Sequence, residues 1–117
     1  MWSGAKAGAI ALHMGEQYFD PGAGAPRHWH YYEEHVTFLE GTAKVYYDGE
    51  AHIVEAPGTA VFLPQKVHGF WNVGEGKLHI CGATNWPVNE SFFVDDEGNP
   101  VDTMRTWLSG REQTETA

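Results

Sequence analysis

Seven consecutive residues carry the densest chemistry in the chain: His28-Trp29-His30-Tyr31-Tyr32-Glu33-Glu34, with Gly22 before them and Gly41 after. His28 and His30 are two positions apart, and Glu34 lies four beyond His30. In a β-strand alternate side chains share a face, so these three would point into one space. Two imidazoles and a carboxylate sharing a face form a ligand set for a divalent metal.

Such a set needs a scaffold that buries it. At 117 residues the chain is long enough for one domain with one core and one buried site. Its hydrophobic content is 42% and its aromatic content 14%, an ordinary globular composition with an excess of rings. A formal net charge of −9 argues against nucleic acid and against anionic membrane surfaces as partners. The single cysteine, Cys81, excludes an internal disulfide and fits a reducing compartment. The start, Met1-Trp2-Ser3-Gly4-Ala5-Lys6, lacks a basic segment followed by a long apolar run. Neither a signal peptide nor a membrane span is therefore expected, and a cytoplasmic location is the default.

The elements that would position the ligands are short strands. Ala9 to Phe19 has β character and closes at Asp20-Pro21-Gly22; Ala23 to Arg27 reads as a loop. His28 to Leu39 reads as one long strand, or two halves of one, with His28, His30, Tyr32, Glu34, Val36 and Phe38 facing inward. Ala43 to Tyr47 and Glu50 to Val54 flank Asp48-Gly49, a strong hairpin signal because both turn residues must accept φ > 0. Thr59 to Leu63, His68 to Val73 and Lys77 to Ala83 complete a series of strands broken by turns, which predicts a sandwich or barrel. Val101, Met104, Trp107 and Leu108 share helical spacing and predict a short amphipathic helix over Val101 to Ser109, with Asp102 as N-cap and Gly110 as stop.

These residues resemble the cupins, small double-stranded β-helix (jelly-roll) proteins. Gly22, His28, His30, Glu34 and Gly41 match the first cupin motif at every spacing. Gly58, Pro64, His68 and Asn72 match the second, although the link Gln65-Lys66-Val67 is one residue shorter than usual and lacks its glycine. The resemblance spans about Gly22 to Ala83. It implies an all-β jelly-roll barrel; with the chain length and the helical spacing near the end, the expectation is a single domain over residues 1–117, with the barrel at about 9–94, a tail at 95–117 and a short C-terminal helix. It further implies a homodimer, and one metal held by His28, His30, Glu34 and His68. Three imidazoles and a carboxylate suit Fe, Mn, Ni, Co or Zn rather than Mg or Ca, which prefer all-oxygen sites. His35 points away by parity; His13, His52 and His79 read as structural.

Parity also sketches a pocket. Phe70 and Asn72 share the phase of His68, Tyr32 and Phe38 share that of His28, and Phe62 has the phase to join them. Tyr32 is a candidate hydrogen-bond donor or acid/base group beside Glu34. Trp29, Tyr31 and Trp71 face outward, toward a dimer face or a patch covered by the C-terminal segment, where Trp86, Phe92, Phe93 and Trp107 could supply a cover or lid. With only seven Lys and Arg, none in a clear inward phase, the ion is the main positive charge expected inside. That favours a small, mostly apolar substrate with one or two chelating oxygens. Three function classes follow: dioxygenase-type O₂ chemistry, O₂-independent Lewis-acid lyase, isomerase or decarboxylase chemistry, and small-molecule binding without turnover. The residues themselves scarcely separate the first two, and the resemblance to cupins tilts toward dioxygenase-type O₂ chemistry.

Overall fold

The alternation of turns and β-rich runs folds as ten strands in the computed structural model, which describes residues 8–101 and 105–107. They are β1 (His13–Phe19), β2 (Gly24–Trp29), β3 (Glu34–Glu40), β4 (Thr42–Tyr47), β5 (Glu50–Glu55), β6 (Gly58–Phe62), β7 (His68–Asn72), β8 (Leu78–Thr84), β9 (Asn89–Phe93) and β10 (Arg105–Trp107). A four-stranded sheet has the order β1-β8-β3-β6 and a six-stranded sheet the order β10-β9-β2-β7-β4-β5. Every pairing is antiparallel, and the chain changes sheet at almost every connection, which is the jelly-roll arrangement.

The Asp48-Gly49 hairpin forms as its chemistry requires, with φ of 47° and 92° at the two turn residues and Tyr47 paired to Glu50. Between the sheets lies a core of Val36, Phe38, Ala43, Val45, Phe62, Phe70, Leu78 and Ile80. On β8, Leu78 and Ile80 face inward, and His79 lies outside, stacked on Tyr18 with ring centroids 4.2 Å apart.

Three expectations are corrected. Residues 28–39 are not one strand: β2 ends at Trp29 and β3 begins at Glu34, in the other sheet. The inward alternation survives the corner, because His28, His30, Tyr32, Val36 and Phe38 are all buried. Ala23 to Arg27 is largely strand rather than loop, since β2 starts at Gly24. In the segment expected to be helical, Arg105–Trp107 is a strand paired with β9 from Ser91 to Asn89. An open sheet edge outweighs helical spacing there. Positions 102–104, 108 and 109 of that expectation, with the cap and the stop, lie outside the described residues.

Candidate metal centre

The four motif residues come from three places that the fold brings together. His28 sits near the end of β2 and His30 just past it; Glu34 opens β3 in the facing sheet; His68 opens β7 beside β2. One ligand atom from each lies within 4.8 Å of the others. All three imidazoles are buried, and the Glu34 side chain is 15% exposed.

A β-bulge brings His28 to His68. Along β2 and β7, Gly24 pairs with Trp71 and Ala25 with Phe70, but the next aligned pair is His28 with His68. Three steps on β2 therefore match two on β7, an extra residue on one strand. Without it, Arg27 would lie opposite His68 and every side chain beyond would change face. Pro26, which has no N–H to give to the ladder, stands inside the bulge. Gly69 stands opposite, where a Cβ would lie 2.8 Å from the Ala25 carbonyl oxygen and 3.1 Å from the Arg27 nitrogen.

On the other side, the shortened link is closed by Gln65, a non-glycine residue at φ 67°. The left-handed turn needed there is still made, and the Gln65 N–H donates to the His30 carbonyl at 2.7 Å.

The donor set fits a transition-metal ion. Each imidazole turns Nδ1 to a backbone carbonyl two residues away: His28 to Pro26 at 2.7 Å, His30 to Tyr32 at 2.8 Å, His68 to Lys66 at 2.9 Å. An Nδ1–H donating there leaves Nε2 with its lone pair directed at the centre, the ligating tautomer. His30 Nε2 is 3.1 Å and His68 Nε2 3.4 Å from the same Glu34 oxygen, Oε1. A neutral ring already donating from Nδ1 has no proton to place in either gap. A metal ion held by His30, His68 and Glu34 would take the place of any proton there.

The electrostatics agree. Burial pushes His28 down to about 3, with the nearby His68 adding to the effect and Glu34 opposing it, so this ring is neutral at physiological pH. Burial alone would raise the Glu34 carboxyl, but hydrogen bonds from His30 and His68, when they carry the proton, hold it well below the usual carboxylate range. The centre thus offers a neutral His28 ring and one ionised oxygen. Arg27 turns outward, its guanidinium 4.1 Å above the Tyr46 ring and paired with Asp96, and Lys66 faces Asp48 at 3.4 Å.

An aromatic ring backs each imidazole. Tyr32 stacks on His30 at 4.0 Å and 5°, Phe62 on His68 at 4.1 Å and 14°, and Phe93 lies 5.5 Å from His28. Sequence reasoning placed Tyr32 and Phe62 near the ligands but read Phe93 as a possible cover or lid; only its pairing with His28 on β2 reveals its place. Tyr32 is also tied down at its phenol, which donates to the Glu90 carbonyl at 3.1 Å and accepts from the Glu90 N–H at 3.0 Å. Burial and the Glu34 charge push its ionisation far up, so the phenol stays protonated.

The other expected pocket residues lie elsewhere. Phe38 and Phe70 meet edge to face at 5.5 Å within the core. The Asn72 amide donates to the carbonyls of Phe19 at 3.0 Å and Gly76 at 2.7 Å, and accepts from the Gly74 N–H at 2.9 Å. His13 is buried in the register row His13–Thr84–Glu34, two strands from the carboxylate. Burial lowers its pKa, against the pull of Glu34. That proximity depends on strand order and could not be read from spacing.

Comparison with known proteins matches this architecture. The cupin domain family model covers residues 15–81. A cupin 2 domain-containing protein from Halorhodospira halophila superposes with a TM-score of 0.71 at 18% identity, over 81% of this chain and 67% of that one. KdgF from Halomonas sp. superposes at 0.60 with 20% identity, over 66% and 71%. A recombinant oxalate oxidase in complex with glycolate gives 0.64 at 23% identity, over 71% of this chain but 46% of that one. At these identities the solved structures share the fold. Among curated proteins none matches the chain. The motif spacings, the jelly-roll topology and the family match together establish that this chain belongs to the cupin domain family.

Proposed function

We propose that this cupin is a metal-dependent enzyme of dioxygenase type, acting on a small, mostly apolar organic substrate that chelates through one or two oxygens. The observation that carries this reading is the buried convergence of three Nε2 lone pairs and one carboxylate oxygen. Four protein ligands leave one or two coordination positions of an Fe, Mn, Ni, Co or Zn ion open. Such an ion, when bound and redox-active, would supply the position at which substrate oxygens chelate and a route for electrons from the substrate, which is oxidised, to O₂, which is reduced.

The chain's own residues then divide the work. His28, His30 and His68 are held by backbone carbonyls and backed by rings, so they keep their orientation. Glu34 is the better placed of the two proton-handling candidates, because it is ionised and converges with the imidazoles. The Tyr32 phenol is engaged with Glu90 and serves to hold His30. Phe62 supplies the apolar wall beside His68, with Phe38 and Phe70 behind it, and helps exclude water. Oxalate oxidase, whose structure carries glycolate, lends support through the shared fold alone.

We also propose a homodimer, for which a sedimentation measurement is the check. Activity is tested by loading the protein with each of the five metals and measuring O₂ uptake against a panel of diketones and flavonols. The expected result is uptake equimolar with substrate loss, abolished in His68→Ala. Substrate loss that continues unchanged without O₂ would replace this reading with Lewis-acid lyase or isomerase chemistry. Binding of panel compounds without turnover by any metal form would leave a non-catalytic binding protein.

A further inference from the structure

A cleft of about 270 Å³ lies beyond Tyr32, lined by Tyr31, Tyr32, Trp86, Glu90 and Phe92. None of the four metal-centre residues lines it. Three segments build it: the corner between β2 and β3 gives the two tyrosines, the β8–β9 connection gives Trp86, and β9 gives Glu90 and Phe92. On β9 the neighbour Phe93 lies against His28, so alternation places Glu90 and Phe92 on the opposite face. The cleft is open to solvent, with Tyr31 63% and Trp86 46% exposed.

Its rings are fixed at angles to one another. Tyr31 meets Phe92 edge to face at 5.7 Å, and Trp29 stacks behind Phe92 at 4.3 Å and 14°. The Tyr32 phenol bridges the N–H and C=O of Glu90 and so anchors that residue at the rim. The Glu90 carboxylate is close enough to that phenol to oppose its ionisation. Within residues 8–101 no Lys, Arg or His side chain pairs with Glu90.

Four ring-bearing walls and one carboxylate select a ligand class. Ring faces carry negative electrostatic potential and attract a cation. A neutral apolar guest would take water from the carboxylate and return nothing, and an anion would be repelled by it. A strongly hydrated inorganic cation would gain little from the rings. An organic cation with its charge spread over methyl groups satisfies the rings and the acid together, and the chain's net charge of −9 favours its approach. We propose that this cleft is a binding site for a small onium cation of the trimethylammonium type. The site shares Tyr32 with the support of His30 but includes none of the four candidate ligands, and its binding chemistry does not rest on the enzymatic reading.

The test uses the full-length, metal-loaded protein and two probes of nearly equal shape: choline, and its neutral carbon isostere 3,3-dimethylbutan-1-ol. Binding is followed by the Trp86 indole N–H resonance, assigned by its loss in Trp86→Phe. Choline should shift that resonance saturably and bind about tenfold or more tighter than the isostere. Glu90→Gln keeps the backbone bridge to Tyr32 and should weaken choline about fivefold or more without weakening the isostere. Trp86→Ala, at a half-exposed position the core does not depend on, should abolish binding while circular dichroism is unchanged. Removing the metal should leave choline binding intact. Equal affinity for the two probes, no saturable shift, or a Trp86 resonance governed by self-association and indifferent to choline would each overturn the proposal.

Discussion

Acidification in the absence of metal should unfold this protein through His28. The ring is buried, and burial pushes its pKa down from the ordinary 6.5 to about 3. An unfolded chain therefore binds a proton at His28 throughout that interval and the folded chain does not, so stability falls as pH falls from 6.5 toward 3. Each pH unit in the window costs about 1.4 kcal/mol, and the step from pH 6.5 to pH 4 costs roughly 3 kcal/mol, a large share of a small domain's stability. Glu34 is held below its ordinary 4.5 and acts in the same direction, with its contribution lost only below about that pH. His13, also lowered by burial, adds to the slope with the same sign. The assay is urea unfolding in EDTA at a series of pH values, for the wild type and His28→Gln. The variant keeps His13 and Glu34, so the difference between the two slopes isolates His28. The variant's stability should vary with pH by about 1.4 kcal/mol per unit less than the wild type's between pH 6 and 4. Parallel curves would refute the reasoning.

Other positions give sharper mechanical tests. At Gly24 a Cβ would lie 2.0 Å from the Phe70 carbonyl oxygen; Gly24→Ala should cost about 3 kcal/mol or more by forcing β2 off β7, read as a lowered urea midpoint. Gln65→Gly should stabilise by roughly 0.5–1 kcal/mol, because it relieves a left-handed φ of 67° and keeps the N–H that holds His30. Asn72→Ala should cost about 2–4 kcal/mol by stranding the carbonyls of Phe19 and Gly76 and the Gly74 N–H, with metal affinity per folded molecule unchanged. A fall in that affinity would place Asn72 in the site rather than behind it.

The grouping of the four candidate ligands was largely legible in the sequence, because period-two alternation governs which face a residue takes wherever the chain runs extended. It held for His28, His30 and Glu34 even though the segment read as one long strand, or two halves of one, is two strands in two sheets. The bulge was not legible. Nothing local marks it except a proline without an N–H and a glycine on a strand not known to be its neighbour, and one slipped residue there decides whether Arg27 or His28 meets His68. Phe93 was missed for the same reason, since it reaches His28 through strand order. Asn72 had the right phase but sits at the far end of β7, where its amide satisfies turn backbone. At Arg105–Trp107 the pattern pointed to helix, and the free edge of β9 took the segment as a strand.

The central claim is that three ring nitrogens and one carboxylate oxygen share an ion. Anomalous diffraction from crystals grown with a stoichiometric transition metal tests it directly. The account predicts one peak at about 2.0–2.2 Å from the Nε2 atoms of His28, His30 and His68 and from a Glu34 oxygen. No peak among these four groups, or a peak held elsewhere on the molecule while they remain as they are, would contradict it.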